Sequence, residues 1–484
     1  MVQRSITVSP TLDLMTPQAQ LAMLAWIPLV LYLFIRFPVY KAVAIGFIGA
    51  WLFLPQRAGF SFPGFPDYDR VSAASYCILL ATCIFDVGRF QSFKLGWLDL
   101  PMLIWCVCPL ASSLSNGLGL YDGLSSTLAE TVKWGFPYFL GRIYFNNLKG
   151  LRLLAIAIFV GGIVYVPLCL YEIRMSPQLH IMVYGYFPHS FAQTMRYGGF
   201  RPQVFMQHGL AVGVWMMAAT LVGIWLWQTG VIKQLWGIPM RWLVPVLLIT
   251  FILCKSTGAW FLGVFGLIIL LAAKWLRTAL PLLLLIGGIF FYQYYVATGL
   301  FTTQQQDQII SFITEVTNEE RAGSLETRFD AEQLLGERAR QQIIFGWGGW
   351  NRNRVYEYNS FGERRDVAPT DSLWIITFGT KGLVGIFSLT TALLLPVVVL
   401  CGWRYPAYLW FNPKVAPAVA VGLVITLYMA DNLTNNMFNP VFPLASGGIA
   451  GLVLQGTEIP TKVRSSRASA TKRTLAKSRK HLYD

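Results

Sequence analysis

The chain has 484 residues, of which 55% are hydrophobic and only 13% charged, and it carries a net charge of +15. That charged fraction is about half that of a soluble domain, and a water-soluble fold of this size has too little interior to hide so much apolar surface. The composition excludes a soluble enzyme on a simple membrane anchor and points to an all-α chain that crosses a bilayer many times.

The first eighteen residues lack an apolar core, so no cleavable signal peptide is expected and the first helix is retained. Apolar runs of roughly bilayer length, ~17–25 residues each, then recur. They give thirteen predicted spans at about 20–36, 40–55, 71–87, 97–114, 122–141, 151–171, 204–227, 241–255, 257–274, 279–299, 373–402, 415–433 and 437–456. Residues 1–299 hold the first ten spans and 300–371 form one long loop. Residues 372–457 hold the last three spans, and 458–484 form a basic tail too poor in large apolar residues to fold.

Lys and Arg gather on cytoplasmic connections. Here Arg36/Lys41, Arg89/Lys94, Arg142/Lys149/Arg152, Lys233/Arg241, Lys274/Arg277 and Arg404/Lys414 mark every second connection, and the tail adds eight more basic residues. This pattern predicts an N-terminus outside, a C-terminus inside and the long loop outside. It also accounts for the positive charge without nucleic acid, and the tail is expected on anionic headgroups.

All seven cysteines lie in apolar runs, where a thiol behaves as a small hydrophobe. Neither a disulfide framework nor a metal site is expected, since the four histidines lack zinc-type spacing. No GxxxxGK(S/T) loop occurs, which argues against ATP hydrolysis.

The outward face is unusual in its choice of cation. Of fifteen basic residues on predicted outward segments, fourteen are arginine and one is Lys255. Arginine offers a planar fork that binds phosphate bidentately, so this face suits a phosphate or pyrophosphate ligand. The plainer alternative is neutralisation of local carboxylates, since the long loop holds twelve acids and eight arginines.

Between the sixth and seventh spans, Arg196 and Arg201 flank Gly198-Gly199, just before a helix whose first turns carry Gln207 and His208. The unpaired amides of that helix would add to an anion site; His208 is either part of that site or a satisfied core residue. In the long loop, Ser324 is a candidate N-cap for an amphipathic helix with Leu325, Phe329, Leu335, Ala339 and Ile343 on one face, expected on the membrane surface. It ends at Gly346-Trp347-Gly348-Gly349-Trp350, where Trp347 and Trp350 are candidates to stack on a sugar ring. The chain re-enters the membrane through Thr370-Asp371-Ser372. Asp371 is placed either as a general base or as a helix cap. Within the spans, Glu130 and Lys133 are expected to pair at i, i+3, and Asp86, Asp99 and Lys381 to sit exposed at span ends; Asp431 is a further intramembrane charge.

Four stretches together resemble the O-antigen ligase and O-antigen polymerase superfamily of bacterial membrane glycosyltransferases. They are Pro137 to Arg142, Arg196 to Gln203, Lys255 to Trp260, and Ser324 to Gly385. The last contains Arg328, the Phe345-Gly346-Trp347-Gly348 turn, Thr370-Asp371-Ser372 and Gly382-Leu383-Val384-Gly385. Ligases of the family place a functional histidine where this chain has Asp371, and an arginine where it has Lys255-Ser256-Thr257. The aspartate form is more similar to polymerases and exopolysaccharide-associated members.

The resemblance implies a GT-C-like fold in the bacterial inner membrane with a periplasmic long loop. It implies transfer of glycan from an undecaprenyl-pyrophosphate carrier to a glycan, lipid or protein hydroxyl, without metal, cofactor or nucleotide sugar, alongside other polysaccharide-assembly proteins. Arg201 and Arg328 would hold the leaving pyrophosphate, with Arg196, Arg365 and Lys255 as further contributors, and Asp371 would orient or deprotonate the acceptor. Two other classes compete. A transporter predicts inverted repeats, of which none is evident, and helices broken near the midplane; a non-catalytic export subunit would leave the arginines expendable.

Overall fold

The computed structural model describes residues 16–316, 319–358, 364–368 and 372–456. The described chain is helical, with only four antiparallel two-stranded hairpins. The first half comprises α1 (Pro17–Arg36), α2 (Val39–Phe53), the hairpin β1 (Gly59–Phe62) and β2 (Phe65–Asp69), α3 (Arg70–Phe85), α4 (Leu100–Ser115), α5 (Leu120–Glu130), α6 (Phe136–Tyr144), α7 (Leu148–Met175) and the short α8 (Leu179–Tyr184). A hairpin of β3 (Met195–Arg196) and β4 (Gly199–Phe200) leads to α9 (Gly209–Gln228), and one of β5 (Gln234–Leu235) and β6 (Ile238–Pro239) leads to α10 (Met240–Leu253). Then come α11 (Thr257–Trp275) and α12 (Leu280–Ala297). The long connection contains α13 (Thr303–Val316), α14 (Glu319–Arg340) and the hairpin β7 (Tyr356–Tyr358) with β8 (Arg364–Asp366). The chain closes with α15 (Leu373–Val398), α16 (Ala416–Asp431) and α17 (Val441–Leu454).

Among the described residues, seven helices are long and apolar enough to cross a bilayer, and five further apolar helices are shorter. Large apolar side chains such as Ile35, Val264, Leu284 and Phe291 point outward and are well over half exposed, which water would oppose and lipid favours. The protein is an all-α, multi-pass membrane protein. All thirteen apolar runs of the sequence fall on helices. The run predicted at 122–141 is divided among α5, a π-turn at Thr131–Gly135 and α6.

Two helices are buried almost all round, α9 and α16. They form the centre, with α7, α10 and α11 against α9 and with α15 and α17 against α16. Elsewhere small residues let backbones touch, as expected where lipid supplies no hydrophobic drive between helices. A Cβ on Gly141 of α6 would lie 1.9 Å from the Leu444 carbonyl of α17, and one on Gly447 would lie 2.0 Å from the Tyr138 carbonyl.

Several expectations are corrected by the packing. Glu130 pairs with Lys381 of α15 at 2.9 Å rather than with Lys133, whose ammonium sits over the Phe438 ring. Glu130 ends α5 and the π-turn follows it, so the regular i, i+3 spacing on which the Lys133 pairing relied is lost there. Lys381 is thus paired inside the protein. Asp99 is also buried: Arg142 grips it side-on, Nε to Oδ1 at 2.7 Å and Nη2 to Oδ2 at 3.0 Å, and Tyr138 donates to it at 2.9 Å. Asp86 does sit at a helix end, bridged to Arg89.

In the long connection, Ser324 lies inside α14 rather than capping it. The apolar face of α14 meets protein, not lipid: Phe329, Ala331, Leu335 and Ala339 are buried, in part against α15, while Ile343 is exposed. The side chains of Ser324 and Leu325, and all of Asp371 and the tail from residue 457, lie outside the described residues.

Candidate functional site

The segment from Gln203 to His208, which precedes α9, is pinned from two sides. The buried Glu172 of α7 accepts from the amides of Gln203 and Val204, each at 2.7 Å, and of Leu179 at 3.0 Å. On the other side the Phe205 carbonyl accepts from Gln56 Nε2 at 2.8 Å and Arg70 Nη1 at 2.6 Å. Val204 has φ 52°, an outlier for a β-branched residue that this surrounding grip holds in place. Arg57, Tyr197 and Lys255 share this left-handed conformation. Such strain gathers at functional sites.

The β3–β4 hairpin is strapped to the start of α11. Lys255 Nζ donates to the Arg196 carbonyl at 3.2 Å and the Tyr197 carbonyl at 3.4 Å, and Tyr197 stacks on Trp260 and bonds Thr257. Arg201, buried, donates to the Lys255 carbonyl at 3.4 Å. Lys255 therefore positions the arginines, and its ammonium does not line the cavity they face.

That cavity, of about 620 Å³, is lined by Arg196 and Arg201 from the hairpin region, Arg328 from α14, Gln207 and His208 before α9, Thr257 and Gly258 opening α11, and Thr434, Asn435 and Asn436 from the α16–α17 connection. Its size is that of a ligand site. Two arginines of one hairpin region and a third from the distant α14 thus meet there, and none of the described residues lining it is acidic. The start of α11 adds to the positive field, since its N-cap Ser256 makes no side-chain capping bond. The expected contribution of α9 is reduced, because His208 caps it: Nδ1 accepts from Leu210 N at 3.1 Å and the His208 carbonyl takes the next two amides. Accepting through Nδ1 leaves the proton on Nε2, 3.2 Å from Gln193 Oε1. Burial, then Arg201, His189 and Arg196, push the His208 pKa down to about 4. It is both a cap and a neutral wall of the cavity.

One turn on from Arg328, α14 is anchored by a buried acid. Glu332, 4% exposed, accepts from Tyr292 of α12 at 2.7 Å and from Trp374 and Ser372 at the start of α15 at 3.0 and 3.4 Å. This carboxylate ties α14 to the membrane helices, and burial raises its pKa to about 7. Asn435 joins the same wall to α15 by accepting from Leu373 N at 3.1 Å, and it donates to the buried Asp431 at 2.9 Å. Sequence reasoning missed Glu332 and the Thr434-Asn435-Asn436 run; that polar run between two apolar helices was the available signal.

The remaining predicted site residues lie elsewhere. Trp347 is covered by the Arg338 guanidinium at 3.6 Å and donates to the Arg338 carbonyl at 2.7 Å. Trp350 is exposed, and Arg365 sits on β8 opposite Glu357. None of the three lines the cavity. The glycine motifs are structural. α15 breaks at Gly382, with φ 63°, and the freed backbone is taken by the 343–348 segment. Trp347 N donates to the Gly379 carbonyl at 2.8 Å, and Leu383 N to that of Ile343 at 2.8 Å. A Cβ on Gly382 would lie 2.3 Å from the Ile344 carbonyl. The Pro137–Arg142 stretch likewise serves the Asp99 clamp and the α6–α17 contact.

Among the described residues no group of three or more His, Cys, Asp or Glu side chains is arranged to hold a metal ion. No family model matches the chain, and it matches no curated protein.

Proposed function

We propose that this protein is a membrane glycosyltransferase that moves glycan from an undecaprenyl-pyrophosphate donor to a hydroxyl acceptor on the outer side of the bacterial cytoplasmic membrane, as a polymerase or ligase. In this reading all thirteen apolar helical segments cross the bilayer in a GT-C-like arrangement, with α13 and α14 periplasmic and the tail cytoplasmic. The observation that carries it is the convergence of Arg196, Arg201 and Arg328 on one cavity whose described lining holds no acidic residue.

The chemistry asks for this. The acceptor oxygen bonds to the anomeric carbon, the bond from that carbon to the pyrophosphate oxygen breaks, and its electron pair leaves on the carrier. Preorganised guanidinium groups favour that developing charge, because they are already oriented and need not reorganise as it forms. Asp371 is assigned the acceptor proton on its sequence position beside Ser372.

A transporter would claim the break in α15. Its backbone groups are already satisfied by residues 343–348, however, so they are not left for a travelling ion. The test is glycan transfer by protein purified in nanodiscs with EDTA, supplied with lipid-linked oligosaccharides from the host. Transfer by the wild type and its loss in folded Arg201→Ala and Arg328→Ala variants is expected, and product length separates polymerase from ligase. Equal transfer by those variants would remove the assigned site.

A further inference from the structure

A second, smaller cavity of about 140 Å³ lies against the first, and Gln207 lines both. Its polar lining comes from Gln56, Arg57, Asp67, Asp69 and Arg70 around the β1–β2 hairpin and the start of α3. The charges here are balanced, two carboxylates against two guanidinium groups. Arg70 is moreover occupied in holding the Phe205 and Trp51 carbonyls and lies over the Trp51 ring. Asp69 caps α3 by accepting from Val71 N and Ser72 N, both on Oδ1. The Asp67 backbone carbonyl accepts from Ser72 Oγ at 2.7 Å.

A charge-balanced, carboxylate-bearing recess lacks the net positive field with which the arginine cavity attracts pyrophosphate. It suits instead a neutral polyhydroxylated group, whose O–H donors the carboxylates accept. Its volume, that of roughly five water molecules, holds one end of a saccharide rather than a whole chain. The wall between the cavities is the segment pinned by Glu172 on one side and by Gln56 and Arg70 on the other, so the spacing of the two recesses is fixed.

We propose that this recess is the acceptor subsite, in which Asp67 and Asp69 hold sugar hydroxyls of the acceptor glycan while Gln207 lies between acceptor and donor. The proposal rests on the transferase reading above and adds the location and chemistry of the second substrate.

The experiment measures binding rather than transfer. The probe is the free oligosaccharide released by mild acid from the host's lipid-linked glycans, titrated calorimetrically into full-length protein saturated with undecaprenyl pyrophosphate. Asn is a good helix N-cap, so Asp69→Asn keeps the start of α3; Asp67→Asn leaves the backbone bond intact. Each is expected to weaken oligosaccharide binding roughly tenfold, the size of a lost charge-assisted hydrogen bond, while undecaprenyl pyrophosphate binds as in the wild type. Arg328→Ala should show the reverse, with carrier affinity weakened roughly tenfold and, at carrier concentrations raised to match, oligosaccharide affinity kept. Oligosaccharide binding that is absent in the wild type, or unchanged in the Asp67→Asn/Asp69→Asn double variant, would overturn the assignment. The transferase reading stands or falls separately, on whether glycan is transferred by the wild type and lost with the arginines.

Discussion

Glu332 offers a quantitative test of how the outer helix is held. Its carboxyl is buried among Tyr292, Trp374 and Ser372, and burial lifts its pKa from the ordinary 4.5 to about 7. A raised carboxyl pKa means that the docked state holds a proton that the undocked state has released. Stability of the docked α14 therefore falls as pH rises from about 4.5 to about 7 and is level above that, by on the order of 3 kcal/mol. Glu332→Gln keeps the shape and removes the titration. At low pH the docked carboxyl is protonated and the amide is its neutral counterpart, its oxygen accepting from Trp374 and its NH2 donating to the Tyr292 hydroxyl, so the two proteins should differ there by less than about 1 kcal/mol. Above pH 7 the variant does not carry the cost of a buried charge and should be the more stable by up to ~3 kcal/mol. Hydrogen exchange of residues 328–340 from pH 5 to 8, corrected for intrinsic rates, gives the opening free energy directly. A flat wild-type profile, or the same slope in Glu332→Gln, would show that this carboxyl does not titrate in the docked helix.

Two further substitutions test the frame. Asp99→Asn removes the charge that Arg142 grips and leaves a buried guanidinium, for which a loss of about 3–5 kcal/mol is expected; a thermal midpoint in detergent within a degree of wild type would contradict it. Gly382→Ala forces a side chain into a left-handed position already in contact with the Ile344 carbonyl. It should abolish accumulation of folded protein in membranes, whereas Gly349→Ala, which meets open space in the same motif, should be tolerated; size-exclusion profiles of the two decide.

The positions of the helices were legible in the sequence because each apolar run must satisfy its own backbone in lipid, which makes helix the local answer wherever the run occurs. The arginine preference of the predicted outward segments was legible too, because it is a count of residues along the chain. Partnership was not. Glu130 was spaced for Lys133, but a π-turn turned the local geometry and Lys381, far along the chain, took the carboxylate. The Pro137–Arg142 stretch and Gly346, Gly348 and Gly382 carry the family resemblance in the sequence, and in the structure they hold helices together through close backbone contact.

The sequence by itself determined that this is a many-spanning helical membrane protein with Arg196, Arg201 and Arg328 among its candidate phosphate ligands. Only the tertiary structure decided that those three share one cavity, that Lys255, Trp347, Trp350 and Arg365 do not line it, and that Glu332 and Asn435 frame it. The reason is physical: helix formation is dictated within a few turns of chain, whereas a site is made by side chains that meet only after segments hundreds of residues apart have packed.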